Sequence, residues 1–213
     1  VAWTLKQRLA ELEAQGQLAC RVTLVPVANP VGLDQQLMDT PLGRYDFESL
    51  TNFNRRYVNV ADSIADGLET VLTDDIAHNR NVIRDRFEAA LLSMTPTTTL
   101  ESMRLTLQRL ACRADFVLDL HCDFDAVEHL YTTPAAWPVF EPLARYFGAK
   151  ASMLATDSGG QSFDECFTLV WEQLQQTFGE RFPLDYGCQS VTLELRGQCD
   201  VDHALAGHDA QAI

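Results

Sequence analysis

A chain of 213 residues, 46% hydrophobic and 22% charged, has an ordinary globular composition and is long enough to bury one sizeable core. Its formal charge of −14 and pI near 4.6 argue against nucleic acid or an anionic membrane surface as partner, where a basic face is the usual footprint. No run of 18 apolar residues offers a membrane span, and the six cysteines form no CxxC pair, so the expectation is a cytoplasmic protein with reduced, mostly buried thiols.

In chain order, Trp3, Leu5, Leu9 and Leu12 fall near helical spacing, with Gly16 as a stop. That pattern is already running at residue 1, and Ala204 to Ile213 is small and polar without a closing element. The expectation is one domain, residues 1–213, truncated at both ends. Arg21 to Ala28 reads as a buried strand ended by Asn29-Pro30, followed by a long irregular stretch from Val31 to Val60. A loop of that length inside a compact domain is usually functional. Ala61–Leu72, Asn79–Met94 and Leu100–Ala111 read as helices, and Phe116–Leu120 and Leu130–Thr132 as short strands. Trp137–Phe147 and Phe163–Phe178 are helical in pattern, and Ser190–Leu195 closes as a strand. The Gly159-Gly160 pair reads as a turn joining two elements. Alternating strands and helices imply an α/β fold, with a mostly parallel central sheet flanked by helices on both faces.

In such sheets the site lies beyond the carboxyl ends of the strands, and three loaded stretches fall there. His121 closes an apolar strand. Alternation puts Asp119 on its face, and Asp123 and Asp125 follow it. An imidazole among acids suits a divalent cation, although a hydrogen-bonded structural histidine and a solvated acidic loop fit the same residues. Asn52-Phe53-Asn54-Arg55-Arg56 concentrates two amides and two guanidinium groups. That set can grip a carboxylate in a bidentate fork or form a salt-bridged loop. Glu194 sits in an apolar run, where burial would lift its pKa toward general-base range. Arg196 lies on the same face by alternation, so a structural Glu194–Arg196 ion pair competes. His129 is expected to be a structural histidine.

Taken in order, Val25-Pro26-Val27-Ala28-Asn29-Pro30, Gly43-Arg44-Tyr45-Asp46, Asn52-Phe53-Asn54-Arg55, Asp119-Leu120-His121 and Thr192-Leu193-Glu194-Leu195 resemble the succinylglutamate desuccinylase/aspartoacylase family, relatives of the zinc carboxypeptidases. The resemblance implies a zinc-carboxypeptidase-like fold and a zinc-dependent hydrolase that cleaves the amide bond of a small anionic N-acyl amino acid. It implies His121 as a zinc ligand and Glu194 as the base that deprotonates water and later protonates the leaving amine. It implies Asn54 and Arg55 as the carboxylate clamp, and Arg44 as the group that polarises the carbonyl. The family's His-Gly-x-Glu motif, which brings two further zinc ligands, has no counterpart here: no HxxE or HExxH occurs, and His78, His129, His203 and His208 have no such partner. The family's C-terminal β-rich portion is also without a counterpart. The expectation is a parent protein that binds one zinc ion and a present chain that is metal-poor and inactive. The alternatives are a metal-free relative that binds an anionic metabolite, and a carboxypeptidase-type peptidase.

Overall fold

A computed structural model describes residues 1–213. The chain opens with α1 (Ala2–Ala14) and, after an irregular passage, α2 (Pro30–Asp34). A two-residue hairpin follows, β1 (Gln36–Leu37) and β2 (Thr40–Pro41), then α3 (Ala61–Ala65) and a 3₁₀ turn at Leu68–Thr70. Next come α4 (Ile76–Ser93), α5 (Thr99–Ala111), β3 (Phe116–Asp123) and β4 (His129–Thr132). The chain finishes with α6 (Trp137–Phe147), β5 (Ala151–Leu154), α7 (Glu165–Phe178), β6 (Gln189–Gly197) and α8 (His203–Ala212). None of these helices is long and apolar enough to cross a membrane.

The central sheet has the order β3-β6-β4-β5. β3 pairs with β6 in parallel and β4 with β5 in parallel, while β4 and β6 join the two halves antiparallel. The architecture is therefore α/β and mixed. Strand periodicity sorts β6 onto two faces. Val191 and Leu193 pack with Leu130, Phe140 and Phe147 under α6, and Ala212 at the end of α8, with Ile213 after it, closes the same layer. Opposite lies the larger core, where Val117 meets Ile83, Phe87, Phe167, Val170, Trp171 and Leu174 from α4 and α7. This face turns polar toward the carboxyl ends of β3 and β6, where Asp119, His121, Thr192 and Glu194 line a cleft.

Helix ends follow their capping chemistry. Asp75 caps α4 through the amides of Ala77 and His78, Thr98 caps α5 through Glu101, and Asp202 caps α8 through Ala204 and Leu205. At Asn29 the side chain accepts from Gly32 N–H, with Pro30 in the first turn of α2.

Three expectations need correction, and one strand, β5, has no signal in the sequence. Arg21 to Ala28 is not a strand: it is irregular and unpaired, with Val22, Val25 and Val27 exposed. β-prone residues become a strand only when a neighbour takes their N–H and C=O groups, and no sheet edge runs alongside them here. Ala61–Leu72 is not one helix, because Gly67 takes a left-handed φ of 61° and divides it. Residues 203–212 do form a closing element, α8, docked through the fully buried Asp209. β5 runs through Ala151–Leu154, a stretch poor in β-branched residues that is ordered as a strand by pairing with β4. All six cysteines are free thiols; Cys112, Cys166 and Cys188 are buried, and Cys20, Cys122 and Cys199 are exposed.

Candidate active site

The carboxyl ends of β3 and β6 open into a cleft of about 990 Å³. Its floor is set by strand register. His121 stands opposite Glu194 in the parallel ladder, and His129 opposes Glu194 from the antiparallel side. The candidate residues Arg44, Asn54, Arg55, His121 and Glu194 all line this one cleft, although they are up to 150 positions apart in the chain.

His121 Nε2 lies 2.8 Å from Asp119 Oδ2 and 3.3 Å from Asn54 Nδ2. Burial, the largest single influence on the imidazole, pulls its pKa down. The hydrogen bond and charge of Asp119, with the charges of Glu194 and Asp164, outweigh burial and push the pKa up to about 9. The ring is thus protonated at neutral pH, with Nε2–H donating to Asp119. Asp164 is also shifted upward, but here burial is the main cause, joined by the charges of Asp119 and Glu165, against the hydrogen bonds from Ser162 and Thr192.

Glu194 has one carboxylate oxygen, Oε2, buried without a hydrogen-bond partner. Burial raises its pKa, opposed by the positive fields of His121 and His129 and reinforced by Asp123 and Asp119. Arg196 does not relieve it. The β3–β6 register shifts between His121 and Asp123, and Arg196 takes a positive φ of 76°. Its guanidinium instead donates to Glu128 at 2.9 Å and to Asp209 of α8. The competing reading, a Glu194–Arg196 ion pair, is therefore not met, because a bulge breaks the alternation on which it rested.

Asn54 is anchored on three sides. Its Oδ1 accepts Phe163 N–H at 2.8 Å, and its own N–H donates to Asn52 Oδ1 at 2.9 Å. Its NH₂ group faces His121 and, beside a protonated ring, remains available to an acceptor in the cleft. Arg55 lines the cleft next to it, with Nη1 donating to Asn54 C=O at 2.6 Å. Arg44 reaches over the rim, with its guanidinium 3.7 Å from Asp123 and 5.4 Å from the centre of the Phe124 ring. Asp123 thus tethers Arg44 and caps its own turn through Phe124 N–H. His129 is the hydrogen-bonded residue expected, with Nδ1 2.7 Å from Val127 C=O.

Two residues of α5 that the sequence reading passed over build the clamp. Arg104, buried, donates to the carbonyls of Phe53 and Asn52 at 3.2 and 2.8 Å. Gln108, fully buried, pairs with both the N–H and C=O of Val58. Their signal was the placement of two long polar residues, four apart, on the same helix face as Leu100 and Leu105, where only a partnered polar group is tolerated.

A zinc site needs about three protein donors that converge with free lone pairs. No three His, Cys, Asp or Glu side chains converge in that way, and His121 Nε2 is engaged by Asp119. Asp123 and Asp125 do not complete a set. The residues of this chain do not by themselves fit a zinc ion.

The chain matches the succinylglutamate desuccinylase/aspartoacylase catalytic domain over residues 2–213. Among solved structures, a protein assigned to that family from Shewanella frigidimarina NCIMB 400 is 27% identical, with a TM-score of 0.81; the match covers 98% of this chain and 56% of that one. A family protein from Shewanella amazonensis SB2B is also 27% identical, with a TM-score of 0.78, covering 98% of this chain and 57% of that one. The chain thus spans a little over half the length of these solved proteins. No curated protein matches it.

Proposed function

Because the chain belongs to the succinylglutamate desuccinylase/aspartoacylase catalytic-domain family, we propose that it carries the substrate-binding and proton-transfer half of a deacylase that cleaves the amide bond of a small anionic N-acyl amino acid. The observation that supports this most is Glu194. It is a half-buried carboxylate with an unpartnered oxygen, held opposite His121 on the floor of a cleft that carries two arginines. Leaving a buried carboxylate oxygen unpaired costs free energy unless a reacting proton or ligand meets it there.

The residues divide the work by chemistry. Arg55, with the NH₂ group of Asn54 beside it, holds the substrate carboxylate. Glu194 takes a proton from the attacking water as its oxygen bonds to the acyl carbon, and returns that proton to the amine nitrogen as the carbon–nitrogen bond breaks. The products are a free carboxylic acid and a free amino acid. Arg44, held by Asp123 at the rim, stabilises the negative charge that develops on the carbonyl oxygen. Zinc is the cofactor that family membership brings to the proposal; His121 would ligate it only as a neutral imidazole that has given up the Nε2 proton held against Asp119, and the cleft of this chain supplies no further set of donors.

The test is hydrolysis of N-acyl amino acids by the wild-type protein, with and without added Zn²⁺, and by Glu194→Gln. Loss of turnover in the variant with retained ligand affinity supports the reading. Undiminished turnover in Glu194→Gln refutes the general-base assignment. Tight ligand binding by the wild type with no turnover in either condition favours a binder of anionic metabolites.

A further inference from the structure

We infer that Gly160 is a positioning residue for the Arg55 guanidinium: its missing side chain is the space the arginine occupies. The inference rests on the reading of Arg55 as the carboxylate anchor. A Cβ at position 160 would lie 2.5 Å from Arg55 Cδ and 2.6 Å from Nε, closer than side chains tolerate. The Gly160 backbone is not left-handed, so alanine is allowed there by conformation, and the three nearest atoms its Cβ would meet all belong to Arg55. Its neighbour Gly159 differs. It needs a φ of +80°, and a Cβ there would meet nothing within 4 Å.

The backbone around the contact is pinned from both sides, so the loop cannot simply back away. Arg56 N–H donates to Gly160 C=O at 3.0 Å, and Tyr57 N–H to Gln161 C=O at 2.9 Å. Buried Glu165, at the start of α7, accepts from the amides of Ser158 and Ser162 at 2.6 and 3.2 Å. The softest atoms at the contact are those of the arginine side chain. A methyl group at 160 therefore shifts the guanidinium and leaves the fold in place, and the cleft loses alignment at the group proposed to fork onto the substrate carboxylate.

The experiment uses N-acetyl-L-aspartate and its α-carboxamide analogue as probes, with affinity measured by calorimetry and the Arg55 Nε–H signal followed by NMR. Arg55→Ala weakens binding of the acid by about 10- to 100-fold, the usual range for a charge-assisted pair. Gly160→Ala weakens it by about tenfold, moves the Arg55 signal and leaves that of Arg196 in place. The carboxamide analogue is insensitive to both changes. In the double variant Arg55→Ala/Gly160→Ala, the second substitution adds nothing to the first. Wild-type affinity and an unmoved Arg55 signal in Gly160→Ala would overturn the inference. Should Gly160→Ala fail to fold, recovery of folding in the double variant locates the clash at Arg55, and failure of the double variant overturns the idea. Wild-type affinity in Arg55→Ala removes the anchor reading, and the NMR signal still decides whether Gly160 sets the guanidinium.

Discussion

The docking of α8 onto the sheet offers a perturbation whose size follows from the structure. Asp209 is fully buried and faces Arg196, whose side chain is 11% exposed, through two contacts: Nη1 to Oδ1 at 3.2 Å and Nη2 to Oδ2. Replacing Asp209 by Ala leaves a mostly buried guanidinium with Glu128, 2.9 Å away, as its remaining anion. Breaking one side of a buried ion pair costs about 3–5 kcal/mol. The surviving Glu128 contact is more exposed, so we expect the lower end, about 3 kcal/mol. For a domain of this length each kcal/mol moves Tm by roughly 2–4 °C, so thermal unfolding should fall by roughly 6–12 °C. Replacing both partners, in Arg196→Met/Asp209→Leu, should recover most of that loss, because matched apolar groups avoid the unpaired charge. Circular dichroism melts of the single and double variants measure both effects. A fall below about 1 kcal/mol for Asp209→Ala, the range of a surface pair, would refute the view that α8 is held by a buried charge pair.

Further outcomes follow from the cleft. In metal-free protein, NMR titration should place the His121 pKa near 9, and Asp119→Asn should lower it. Because the folded value lies above the ordinary 6.5, the acidic surroundings of His121 (Asp119, Glu194 and Asp164, net of burial) stabilise the fold fully below pH 6.5, and that contribution, on the order of 3 kcal/mol, is lost as pH rises through about 9. Melts that are flat between pH 6 and 10 would contradict this. Gln108→Ala should cost about 2 kcal/mol, since it strips both the N–H and C=O of Val58 of their partner. It should also weaken anion binding by loosening the 52–58 loop; a denaturant midpoint equal to wild type would argue against the clamp. Glu194→Gln should reduce any deacylase turnover by about 10²-fold or more. It should also lower the His121 pKa, because one of the negative charges that raise it is gone.

The readable part of this fold lay in local patterns. The bounds of α6 agree with the apolar periodicity of Trp137–Phe147, and α5 and β4 lie within a residue of their patterns. Family membership could be traced in five short motifs, because each carries an arrangement of polar residues next to strand-like sequence that has little reason to arise from packing alone. The misreadings share one cause. Arg21–Ala28 has strand composition without a partner, and Ala151–Leu154 has a partner without strand composition. Arg196 obeys alternation in sequence and escapes it through a bulge. The helix face of Arg104 and Gln108 marks them as partnered polar residues, but their partners could not be named, because the groups they satisfy lie about 50 residues upstream in a loop with no periodicity of its own.

The sequence by itself determined the chemistry available: which helices form, which strand ends carry His121 and Glu194, and where two amides and two guanidinium groups cluster. Those are consequences of spacing along one chain, and spacing is local. Only the tertiary structure decided that His121 and Glu194 stand in register, that Asp119 takes the imidazole Nε2, and that Asp209 draws Arg196 away from Glu194. It also decided that Gly160 opens the space beside Arg55. Each of these depends on which groups share a buried volume. That is settled when strands pair and helices dock, because an unpaired charge or an occupied space is penalised only once water has been excluded.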